Sequence, residues 1–162
     1  MASIIVASVP IHGHVAPLLD VARHLVSRGD RVRFLTGARF AAAVVATGAT
    51  HVPLPDDADF DDRVDLDQRF PDRAALKGPK ALAFDLEHIF VRPTRSQHAA
   101  VMALHAEDAA DAVLTDPAFA GASYLVGHRR SDRPAVVVCG VLPLSMASPD
   151  AAPFGMGLAP AR

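Results

Sequence analysis

The sequence predicts an α/β fold: an open parallel sheet with helices on both faces. Three observations carry that expectation. The first 54 residues alternate strand, helix, strand, helix, strand, which implies right-handed crossovers and a parallel sheet. The first and last strands, Ala2–Ser8 and Pro134–Cys139, are short, continuously apolar runs, the composition of strands buried on both faces. Glycines stand where helices should stop, at Gly29 and Gly48.

The elements follow in order. After the first strand, Val15–Arg28 places Val15, Leu18, Leu19, Ala22, Leu25 and Val26 on one helical face, with Pro17 fitting the first turn. Arg31–Thr36 reads as the second strand, Ala38–Thr47 as the second helix and Thr50–Leu54 as the third strand. Pro55–Ala75 then breaks the pattern. It is rich in Asp and Pro and has little period, and a loop of that length is a lid or a solvated excursion. Residues 78–110 are mostly helical, and Pro93 should divide them into two helices. Ala112–Thr115 is the fourth strand, Ala118–Gly127 a helix of small residues, and Arg129–Arg133 a charged turn before the fifth strand. Beyond Gly140 no further element is clear.

Composition narrows the function. The 162 residues suffice for one domain with a sizeable core. A formal net charge of −2, with no basic block, argues against a nucleic-acid binder. One cysteine, Cys139, excludes an intrachain disulfide and fits a reducing, cytoplasmic setting. No run approaches a membrane span, and the start lacks the basic end of a signal peptide.

The chemistry concentrates at the first strand–helix junction, Val9-Pro10-Ile11-His12-Gly13-His14-Val15-Ala16-Pro17. In an open α/β sheet, ligands bind at the carboxyl ends of the strands. An imidazole at a helix N-terminus meets the positive end of the macrodipole, which favours its neutral, proton-accepting form. The junction is therefore the first place to look for a general base. A dinucleotide fingerprint would need three spaced glycines, and only Gly13 is present. His12-Gly13-His14 has no adjacent third ligand, so no metal is expected. Asp116 ends the fourth strand. In a 3-2-1-4-5 strand order its carboxylate would neighbour the tip carrying His14. Capping the helix after Pro117 is the alternative use for the same carboxylate.

Taken together, these segments resemble the GT-B glycosyltransferases of the family 1 type, above all the bacterial macrolide and natural-product enzymes. The resemblance rests on Gly13-His14-Val15-Ala16-Pro17-Leu18-Leu19, on Ser27-Arg28-Gly29-Asp30-Arg31-Val32-Arg33-Phe34, and on Val45-Ala46-Thr47-Gly48-Ala49. It continues in Asp111-Ala112-Val113-Leu114-Thr115-Asp116 and Pro153-Phe154-Gly155-Met156-Gly157-Leu158. It implies one Rossmann-like half of a two-domain fold, the N-terminal, acceptor-side domain over residues 1–162. That domain would be incomplete, with the donor domain absent, so the chain alone would transfer no sugar. It further implies inverting transfer of a hexose from a nucleotide-sugar to a small-molecule hydroxyl, without a metal or other cofactor. His14 would be the base, with His12 a second candidate, and Asp116 the carboxylate behind it. The acceptor would lie against His12, Gly13, Phe84, Phe90 and Leu142. The rival readings are a non-catalytic binding module and a nucleotide-sugar epimerase built on the same plan.

Overall fold

In the computed structural model, residues 1–141 are described, and they form a five-stranded, wholly parallel sheet of order β3-β2-β1-β4-β5. The strands are β1 (Ser3–Ala7), β2 (Arg31–Thr36), β3 (Thr50–Pro53), β4 (Ala112–Thr115) and β5 (Ala135–Val138). The helices are α1 (His12–Ser27), α2 (Ala41–Val45), α3 (Leu66–Arg69), α4 (Pro79–Asp85), α5 (Thr94–Glu107) and α6 (Gly121–Leu125). All five expected strands are present, each within a residue or two of its expected ends. β1 lies at the centre, with Val6 opposite Phe34 on one side and Leu114 on the other.

Every residue of β1 is buried, because alternate side chains serve opposite layers. Ile5 and Ala7 join Leu35, Val101, Leu104, Val113, Phe119 and Leu125 beneath α5 and α6. Ile4 and Val6 join Val15, Leu18, Ala22, Val32, Phe34 and Val44 beneath α1 and α2. On the first of these faces α5 and α6 touch so closely that a β-carbon on Gly121 would come within 2.5 Å of Gln97 Cβ and 2.7 Å of the His98 amide nitrogen.

Several boundaries differ from expectation. α1 begins at His12, three residues before Val15, so both histidines lie in its first turn and Pro17 is inside it. The second helix is shorter than the sequence implies: a 3₁₀ turn, Ala38–Phe40, leads into α2. The helix after β4 is also shorter, beginning at Gly121. Pro93 divides the 78–110 stretch as expected, because it has no N–H to donate and stands just before α5. Upstream of it α4 runs into a π-helical turn, Leu86–Val91. Residues 55–75 are not structureless. They hold α3 and a 3₁₀ segment, Pro71–Ala75, fastened by Arg73 to Asp85 and Asp67. No helix among the described residues is long and apolar enough to cross a membrane. Leu142 and Pro153–Leu158 lie outside the described residues.

Candidate active site

The strand order places the tips of β1 and β4 side by side, and their loops meet. Asp116, directly after β4, is 1 % exposed. Its Oδ2 accepts the Val9 amide at 2.9 Å and its Oδ1 accepts the Ala118 amide at 2.7 Å. The second contact is the local turn bond that an Asp before Pro commonly makes. The same Oδ1 lies 2.9 Å from Nδ1 of His14, whose side chain is 13 % exposed. Asp116 does not cap the following helix, because α6 begins only at Gly121 and has no side-chain cap. The carboxylate fastens both loops and meets the ring.

A carboxylate only accepts, so the bond to Asp116 puts a proton on Nδ1, and in the neutral ring the lone pair is then on Nε2. Nε2 makes no hydrogen bond among the described residues, so it is the nitrogen free to take a proton. The ring belongs to the third residue of α1, whose amide bonds to the Ile11 carbonyl at 2.9 Å. Gly13 precedes it, exposed, with nothing within 4 Å of where a β-carbon would stand.

His12 is exposed, and its amide donates to Asp62 Oδ2 at 2.7 Å. The loop after β3 therefore lies over the start of α1. Asp62 is also ion-paired with Arg39, whose guanidinium sits 3.6 Å from Asp61 and 4.7 Å from the Phe40 ring centroid. Asp59 Oδ2 accepts the Ala38 amide at 3.0 Å. Between these residues lies an open depression of about 450 Å³, lined by Arg39, Asp56, Asp59, Phe60, Asp61 and Arg63. The guanidinium of Arg63 holds the Asp61 carboxyl far below the usual carboxylate range. The Arg39–Asp62 clasp has no local signature, since its two carboxylate contacts span 23 and 50 residues.

The expected acceptor wall is divided. Phe84 stacks on His88, with centroids 3.7 Å apart, and meets Phe70 edge-on at 5.7 Å. Phe90 packs against the core beneath α5. A smaller apolar groove adjoins Asp116, with Phe119, Val126, Val136 and Val138 among its walls. Cys139 is half-buried, and burial pushes its thiol up, with Asp116 adding to the effect. Among the described residues no three His, Cys, Asp or Glu side chains group as metal ligands.

The chain is similar in sequence to known glycosyltransferases. A 4'-demethylrebeccamycin synthase of Lentzea aerocolonigenes is 36% identical over 159 residues, covering 98% of this chain and 37% of the relative. A UDP-glycosyltransferase 2 of Phaeomoniella chlamydospora is 36% identical over 163 residues, covering 97% of this chain and 35% of the relative. The chain belongs to the GT-B glycosyltransferases. It spans about a third of the length of the curated relatives it matches. Among solved structures, a calicheamicin glycosyltransferase superposes with a TM-score of 0.63 at 26% identity, over 85% of this chain and 32% of that one. The glycosyltransferase of kitacinnamycin superposes with a TM-score of 0.59, also at 26% identity. No family model matches the chain.

Proposed function

We propose that this chain is the acceptor-side half of an inverting glycosyltransferase that moves a hexose from a nucleotide-sugar to a hydroxyl of a small molecule. The observation that supports this most is the His14–Asp116 pair at the junction of two strand tips. The acceptor hydroxyl approaches Nε2 of His14. As its oxygen forms a bond to the anomeric carbon, the proton passes to Nε2 and the nucleoside diphosphate leaves with the electron pair of the broken bond. Attack from the face opposite the leaving group inverts the anomeric centre. Asp116 holds the ring through Nδ1–H and stabilises the imidazolium that forms, the part played by the buried carboxylate of a catalytic triad. Its own position is fixed by the Val9 and Ala118 amides, so it moves little as charge develops.

The nucleotide-sugar is held by a second domain facing the strand tips, and the reaction is proposed to need no metal. The acceptor lies over Gly13 and beside His12, with Phe84, Phe90 and Leu142 as further candidate contacts. The open space at Gly13 fits a ligand close to the backbone there.

Steady-state transfer kinetics of the chain joined to a GT-B donor domain test this reading. His14→Ala should lower kcat by about 10²–10⁴, the usual loss when a general base is removed. Asp116→Asn should lose a similar order, and His12→Ala much less. Near-unchanged kcat for His14→Ala would remove the general-base assignment. Loss with His12→Ala instead would move the base by two residues.

A further inference from the structure

α1 starts without a local cap. Its first turn follows Ile11, which has no side chain able to accept from the helix, and no local side chain does so. Ser8 is committed elsewhere, its hydroxyl donating to the Val9 carbonyl. The carboxylate that reaches the first-turn amide at His12 is Asp62, 50 residues further on. A carboxylate there satisfies an orphan N–H and meets the positive end of the macrodipole.

Asp62 is itself restrained. It pairs with Arg39, and the two side chains are only 15 % and 20 % exposed. Arg39 is held in turn by the Phe40 ring and Asp61. The loop is pinned again where Asp59 accepts from Ala38 and Arg69 Nη1 donates to the Asp59 carbonyl at 3.0 Å.

We infer that Asp62, braced by Arg39, is a positioning residue for the His14 ring: it keeps formed the helical turn that carries the base, an inference that rests on His14 acting as that base. Helices fray from their ends. His14 is the third residue of α1, within the turn that frays first. Once that turn opens, the ring no longer has to meet Asp116. Two carboxylates from different places in the chain therefore hold this turn, Asp116 on the His14 ring and Asp62 on the His12 amide two residues earlier. The acidic loop after β3 thereby becomes part of the site without touching substrate.

Long-range ¹H–¹⁵N spectra of the imidazoles and amide exchange of the α1 first turn, both on the 162-residue chain, read this out without any sugar transfer. Asp62→Ala should convert His14 from a single Nδ1–H form to a mixture of tautomers. It should also speed exchange of the first-turn amides by about fivefold, the typical effect of losing a cap. Asp62→Asn keeps the volume and one acceptor oxygen for the His12 amide, so it should hold the ring signal close to wild type. Asp57→Ala removes a different anchor of the loop, the bond from the Ser96 hydroxyl, and should leave His14 unchanged. An unaltered ring in Asp62→Ala overturns the inference. So does an Asp57→Ala variant that moves the ring equally, or an Asp62→Asn variant that releases it as fully as alanine. The Asn outcome decides the matter if the alanine variant does not fold. Release of the ring by Asp62→Ala, with transfer indifferent to His14→Ala, would leave the clasp standing and the general-base reading refuted.

Discussion

The two ends of the sheet use the same chemistry for different results. At the amino end, Asp30 accepts the Ala2 amide and Asp111 the Ser3 amide, each at 2.8 Å. Asp108 meets Arg31, while Arg33 donates to the Leu104 and Asp108 carbonyls. Each of these carboxylates ends on a backbone amide, a hydroxyl or a guanidinium, and none meets a titratable ring. At the carboxyl end, Asp116, Asp59 and Asp62 also take backbone amides, but Asp116 takes an imidazole as well. That added partner leaves one ring nitrogen uncommitted. Here the neighbouring loop brings a titratable ring to a carboxylate that already holds two backbone amides.

The contrast is sharpest in stability. Asp116→Ala strands two backbone amides, one of them at the buried Val9, and should cost about 3 kcal/mol. Asp111→Ala removes one part-buried bond and should cost about 1 kcal/mol. Urea midpoints of the two variants measure the difference, and equal losses would erase the distinction between the edges.

Glycines give the next largest effect. A β-carbon on Gly37 would stand 2.5 Å from Pro10 Cβ and 2.6 Å from Asp59 Oδ1, where the loops after β1, β2 and β3 meet. Gly37→Ala should therefore lose about 1–3 kcal/mol by overpacking. Gly13→Ala meets open space inside a helix and should be neutral or stabilising by up to about 1 kcal/mol. If Gly13 serves the acceptor rather than the fold, that same variant should raise KM while Tm holds or rises.

The smallest effect is at the amino end of the sheet. The Arg31 guanidinium hydrogen-bonded to Asp108, helped by the charges of Arg31 and Arg33 and by Ser3, holds the Asp108 carboxyl below its ordinary value. A depressed folded-state value means the unfolded chain binds the proton more readily. The contribution is present above the unfolded value of about 4 and disappears as pH falls through the folded one. Stability of Asp108→Asn should accordingly fall less steeply than wild type as pH drops below about 4. Added salt should shrink the gap, because the pair is exposed.

Much of this was legible in the sequence. Strand composition and helix punctuation gave the five parallel strands, and Pro93 marked the α4–α5 break. The neighbourhood of His14 and Asp116 followed from topology alone, since strands one and four share the switch point. The start of α1 was not legible. Capping rules look for a polar residue just before the helix, and here the cap comes from Asp62, a contact that exists only after the loop folds back. The order within residues 55–75 was hidden for the same reason. Its ion pairs are tertiary, so no local period announces them. Phe84 and Phe90 show a further limit: both were expected against the acceptor, and nothing local in the sequence separates the ring stacked on His88 from the one packed against the core.

The central claim is that the carboxylate behind the ring decides which nitrogen of His14 is free. The imidazole ¹⁵N shifts of His14 at neutral pH test it directly. A ring protonated on Nδ1 with a bare Nε2, shifting to a tautomer mixture in Asp116→Ala, is the predicted result. A ring protonated on Nε2, or one indifferent to Asp116, would contradict it.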